Sequence, residues 1–219
     1  MKDPRIAHTW CETFVLRLSL QDDNVTALST NPTTPSHSQL AGTISCLGEV
    51  IRSSSRMQLQ IQSLSPAETV VLFTPVVLPA STLKTGNDMM DPFEPLGRIL
   101  GQCHKRIRHV PYVPSIGFTD IHSGFVKQAG AIFAVICQPA TGHVDTSLSE
   151  QAKFAESVAT LLDSSSDPDD KNTPLFLLQF VANENCVNLS SYEHVLRFDV
   201  YNVETAKEMA RLIFNPMAP

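Results

Sequence analysis

Residues 108–125 read RHVPYVPSIGFTDIHSGF, and the fold turns on how this stretch is parsed. Its front half, with Val110 and Val113 leading to Pro114, reads as the end of a strand. Pro114 and Gly117 punctuate a turn. Thr119 then stands where an N-cap belongs, and Ile121, Phe125 and Ala129 follow at i, i+4 and i+8, which predicts a helix with these three residues inward.

The same alternation extends in both directions. On the N-terminal side, ETVVLFTP (68–75) is a β-branched apolar run stopped by proline, and PFEPLGRILGQCHKR (92–106) carries Leu96, Ile99, Leu100 and Cys103 on one helical face. On the C-terminal side, AIFAVIC (131–137), PLFLLQFV (174–181) and HVLRFDV (194–200) read as strands. SEQAKFAESVATLLD (149–163) reads as a helix capped by Ser149 with Phe154, Val158, Leu161 and Leu162 inward, and VETAKEMARLIF (203–214) as a closing amphipathic helix. LAGTISCLGEVIRSSSRMQL (40–59) reads as a helix leading into a short extended piece. Strands apolar on both faces, separated by helices, imply an α/β fold: a doubly wound, mostly parallel five-stranded sheet of flavodoxin-like size with helices on both faces.

Two segments do not fit that pattern. Residues 22–39 are rich in Thr, Ser, Asn and Pro, and residues 163–172 (DSSSDPDDKN) are acidic and serine-rich. Neither can bury enough apolar surface to offset the entropy of ordering it. The domain reading is therefore an irregular N-terminal extension over 1–39 and one α/β sandwich domain over 40–219.

Composition narrows the function classes. A net charge of −6 from 16 basic and 22 acidic residues is no footprint for nucleic acid, even though HKRIRH (104–109) is locally basic. The five cysteines (Cys11, Cys46, Cys103, Cys137 and Cys186) are scattered, odd in number and without a CxxC pair, so neither a disulfide framework nor a zinc site is indicated. The first twenty residues lack an apolar signal-like region and no apolar run reaches the ~20 residues of a membrane span, so a cytoplasmic protein is expected.

In a sheet of this type ligands bind beyond the carboxyl ends of the strands. Pro75, Phe118, Thr119, Asp120, His122 and His143 fall at that edge and are the candidate ligand- or partner-facing residues. Each also has a plain structural role open to it. Asp120 complements a helix N-terminus, His122 lies three residues after the cap, and His143 and Asp145 sit in a polar loop where a base and its orienting carboxylate are conceivable. His109 reads as a packed, hydrogen-bonded histidine within a strand. No GxGxxG, P-loop, GxSxG or HExxH motif is present, so no catalytic residue, metal or cofactor is assigned.

The succession ETVVLFTPVVLP (68–79), DPFEPLGRIL (91–100), RIRHVPYVPSIGFTDIHSGFVKQAGAIFAVIC (106–137) and VYNVETAKEMARLIFN (200–215) resembles the C-terminal region of fungal family-three glycoside hydrolases of β-N-acetylglucosaminidase type. The resemblance spans about residues 45–215 and lies in order and texture, not in catalytic motifs. It implies the α/β sandwich that follows a catalytic barrel in that family. The family's nucleophilic aspartate and its KH-x-PG-H loop belong to the barrel and align with nothing here, so the resemblance carries over no catalytic residue. It implies a domain that is not catalytic alone and supports a barrel domain absent from this chain. Its partners would be such a barrel or a second copy meeting an exposed apolar face, with a carbohydrate as possible ligand. The alternative is a stand-alone small-molecule binder or enzyme working at the Thr119–His122 edge, and a third is a protein-interaction module.

Overall fold

A computed structural model describes residues 48–80, 91–140, 144–164, 173–182 and 192–214. Six strands form one sheet: β1 (Gly48–Arg52), β2 (Thr69–Pro75), β3 (Ile107–Tyr112), β4 (Ala129–Cys137), β5 (Leu175–Phe180) and β6 (His194–Phe198). The helices are α1 (Ser55–Gln62), α2 (Glu94–Cys103), α3 (Asp120–Gln128), α4 (Val144–Ser164) and α5 (Val203–Phe214). The strand order is β1-β6-β5-β4-β2-β3; β2 to β6 run parallel, and β1 is antiparallel to β6.

The apolar strands β2, β4 and β5 occupy the interior positions, where both faces are covered. Val70, Leu72, Phe133, Val135, Phe176, Leu178, Leu196 and Phe198 pack on one side against Leu96 and Leu100 of α2 and Met209 and Ile213 of α5. Val71, Phe73, Val110, Tyr112, Ile132, Ala134 and Ile136 pack on the other side with Val126 of α3 and Phe154 and Val158 of α4. Successive side chains of one strand thus feed two separate cores, which is why these strands read as unbroken apolar runs. The less apolar β3 takes the edge, where its alternating burial is tolerated and Pro111 forfeits no ladder bond.

Three expectations change. The sheet has six strands, not five, because GEVIR (48–52) pairs along β6. Over residues 48–59 the order is strand then helix, the reverse of the reading from periodicity. The β-branched pair Val50–Ile51 finds a ladder on β6, and a Cβ at Gly48 would overlap the Phe198 ring, so only glycine allows that close register. The long helix begins at Val144, which places Ser149 inside α4 and not at its cap. The proposed extension over 1–39 lies outside the described residues.

His194 is the discordant residue of the core. It is 1 % exposed on β6, its ring meets Phe176 edge-on at 4.3 Å, and neither ring nitrogen has a hydrogen-bond partner among the described residues. Burial pulls its pKa from 6.5 down to about 4. Between those values the unfolded chain holds a proton that the folded chain rejects. The contribution of this site is complete above about pH 6.5 and is lost as pH falls towards 4, an effect of about 3 kcal/mol. Chemical denaturation at pH 7.5 and pH 4.5 should show that loss, and His194→Phe should remove most of it.

Candidate functional site

Read from the other edge, β2 to β6 have the order 2-1-3-4-5 of flavodoxin-like sheets, with the topological switch between β2 and β4. In such sheets the chain leaves these two strands in opposite directions and opens a crevice for a ligand. Here the crevice is bridged by backbone. Pro79 and Pro139 pair antiparallel, the Ala80 N–H donates to the Gln138 carbonyl at 2.8 Å, and the Ala140 N–H donates to the Leu78 carbonyl at 2.7 Å. Just below, the buried Gln151 of α4 mimics a further strand: its Oε1 accepts from the Cys137 N–H at 2.9 Å and its Nε2 donates to the Cys137 carbonyl at 3.0 Å. The backbone groups of Leu78, Ala80, Cys137, Gln138 and Ala140 named here are spent on the chain itself.

The segment between β3 and α3 turns at Gly117, whose φ of +73° is the left-handed conformation glycine adopts without strain. Thr119 caps α3 as expected, and its N–H donates to Nδ1 of His122 at 3.0 Å. His122 is buried in an aromatic cluster, edge-on to Phe154 at 5.0 Å and Phe73 at 5.8 Å, with Phe118 at 5.7 Å. Burial holds its pKa below the usual histidine value, partly offset by a hydrogen bond to the Pro111 backbone. Both nitrogens are therefore engaged in holding the helix start to the sheet. Pro75 ends β2 and is buried, Phe118 is half-buried, and Asp120 is exposed in the first turn of α3. His143 lies outside the described residues, as does the side chain of Asp145.

The inward face of α3 differs from its sequence reading at its first turn: Phe125 and Ala129 pack against the core and His122 and Val126 are buried, whereas Ile121 is 72 % exposed. Capping by His122 rotates the first turn so that Ile121 points off the edge, and it has company there. Val76 and Leu78 after β2, Val113 and Ile116 after β3, and Ile121 make five of the seven large apolar side chains that are exposed among the described residues. The Val76 N–H donates to the Tyr112 carbonyl at 2.8 Å, so the two segments leave the sheet side by side.

A second arrangement escaped the sequence reading. Thr74 and His109 face each other across β2 and β3, with Oγ1 and Nε2 2.6 Å apart, and His109 Nδ1 lies 3.3 Å from a carboxylate oxygen of Asp91. The other Asp91 oxygen accepts the Phe93 N–H at 2.9 Å. A carboxylate only accepts, so in the neutral ring Nδ1 carries the proton and Nε2 accepts the threonine hydroxyl. The order hydroxyl–imidazole–carboxylate is that of a nucleophilic triad. Thr74, however, is 1 % exposed, which puts its hydroxyl beyond any substrate. The chain ties the start of α2 to the sheet. No local motif signals it, because the three residues come from three separate segments.

No protein-family model matches the chain, and no curated protein matches it. Solved structures do, at low identity. A fungal multi-domain family-three β-N-acetylglucosaminidase with a GCN5-related glucosamine N-acetyltransferase region aligns at TM-score 0.53 and 12% identity, over 78% of this chain and 16% of its own length. A family-three β-N-acetylglucosaminidase from Paenibacillus sp. str. FPU-7 aligns at TM-score 0.48 and 13% identity, over 78% and 28%. A β-glucosidase from Listeria innocua in complex with isofagomine aligns at TM-score 0.48 and 15% identity, over 77% and 24%. The first shows that the fold occurs as a minor part of a much larger glycoside hydrolase chain.

Replacing Thr74 by valine keeps the shape and leaves the imidazole nitrogen unpaired. It should lower stability by about 1–3 kcal/mol in urea unfolding, while His122→Phe should free the Thr119 N–H and increase amide exchange in the first turn of α3.

Proposed function

We propose that this chain is a non-catalytic α/β sandwich domain of glycoside hydrolase family 3 type, related to the β-N-acetylglucosaminidases, whose β2–β3 carboxyl edge packs against a catalytic barrel carried elsewhere. The observation that carries this reading is the apolar cluster Val76, Leu78, Val113, Ile116 and Ile121 at that edge. A free-standing small protein gains nothing by exposing it, whereas a domain docked on another body buries it. The structural likeness to a multi-domain family-three enzyme, of which this fold makes up 16%, supports the same reading.

The site residues are assigned accordingly. Phe118, Thr119 and His122 shape the edge from within, and Asp120 offers a carboxylate beside the apolar cluster to a partner or to a sugar in the shared cleft. Residues 40–219 act as one unit in this reading, with residues 1–39 as an extension. Helices long and apolar enough to cross a membrane are absent among the described residues.

A specific observation favours a second reading, a small-molecule binder. A groove of about 230 Å³ lies at the carboxyl ends of β4, β5 and β6, lined by Pro79, Gln138, Phe180 and Asp199 among others. Its carboxylate and amide could hold a polar ligand such as a sugar.

Incubation of the purified chain with a chromogenic N-acetylglucosaminide tests the non-catalytic reading. No turnover is expected. Turnover that disappears in the His122→Ala, Asp120→Asn double variant would overturn the proposal. Light scattering should also show the isolated chain self-associating, and Ile116→Asp with Ile121→Asp should restore a monomer. A monomeric wild type that binds no hydrophobic dye would count against docking through this edge.

A further inference from the structure

The opposite flank of β3 carries a different surface. The pairing with β2 engages alternate residues only: the Val70 N–H bonds the Arg106 carbonyl and the Val76 N–H bonds the Tyr112 carbonyl, in the register Val70↔Ile107 to Pro75↔Tyr112. In a parallel ladder of that register, the backbone groups of Ile107, His109 and Pro111 point away from β2. Among the described residues β3 ends the sheet; the Pro111 carbonyl is taken by His122, and the N–H and carbonyl groups of Ile107 and His109 stand along the edge.

Beside that edge lies a groove of about 260 Å³ between β3 and α2, lined by Gly97, Gly101, Lys105, Ile107 and His109 along with the Arg98–Glu94 pair. Gly101 has nothing within 4 Å of the position a Cβ would take, so the helix wall there is open. Within the groove Arg98 is paired with Glu94, and Lys105 is the other cation in its lining. Arg106 and Arg108 add exposed positive charge at β3, Arg106 donating to the Ala67 carbonyl and Arg108 lying over the Phe125 ring on the opposite face of the sheet. Asp91, outside the groove lining, faces His109 at 3.3 Å.

We propose that the free edge of β3 and the groove between it and α2 bind an extended acidic segment of a partner protein by strand addition. Main-chain bonds at Ile107 and His109 would supply the register, and the exposed Lys105, Arg106 and Arg108 would favour carboxylate side chains on the added strand. Pro111 limits the added strand, since it has no N–H and its carbonyl is held by His122. This surface is separate from the apolar β2–β3 carboxyl edge and stands whatever docks there.

The test is fluorescence anisotropy of the full chain with a fluorescein-labelled peptide of alternating glutamate and valine, EVEVEVE, at low salt. Saturable binding is expected. Methylating alternate backbone nitrogens of the peptide should weaken it at least about tenfold, because strand addition needs those donors. The Lys105→Glu, Arg108→Glu double variant should weaken it at least about tenfold through charge repulsion. Gly101→Leu should abolish binding by filling the groove without lowering the melting temperature, because leucine is the better helix former. Absence of binding, indifference to N-methylation, full binding by Gly101→Leu, or equal displacement by a thymidine decamer would each overturn the proposal.

Discussion

The structure depends on burying β2, β4 and β5 on both faces. A strand sandwiched in this way has no side left for water, so every backbone group at its ends must find a protein partner or emerge from the sheet. The carboxyl ends of β2 and β4 meet this constraint internally, through the Pro79–Pro139 bridge and the side-chain amide of Gln151 on Cys137. In related topologies the same spot receives a ligand. Its closure here explains how the chain can have the sheet order of a nucleotide- or flavin-type fold without a phosphate cradle among the described residues at its switch point.

The polar residues that looked most like chemistry answer to the same constraint. His122 closes the first turn of α3 and fills an aromatic cluster, and the Thr74–His109–Asp91 chain fastens the start of α2 to the sheet. Both groups are built of catalytic residue types, and both are committed to holding a helix start against two-sided strands. The exposed chemistry lies elsewhere, in an apolar cluster beyond β2 and β3 and a cationic flank on the free side of β3. The same fold is seen as a minor part of a multi-domain family-three glycosidase.

His194 illustrates the cost of the arrangement. An imidazole without partners on β6 lowers stability in acid, yet it occupies a position that a phenylalanine could fill. Nothing among the described residues gives it a hydrogen-bonding role.

The sequence by itself determined the class of the fold. Five apolar runs separated by amphipathic stretches allow few arrangements other than a covered parallel sheet, because the period and the two-sided apolarity are local properties. Thr119 as a cap was legible for the same reason. The sixth strand was not, since GEVIR becomes a strand only by meeting the edge of β6, at Val195 to Phe198, far along the chain. Nor was the turning of Ile121 outward, because helical spacing fits either of two adjacent faces and only the capping by His122 selects one. The Thr74–His109–Asp91 chain, the bridged crevice and the patch beyond β2 and β3 each join residues far apart in sequence. Distances between such residues are set by packing, and no local pattern encodes them.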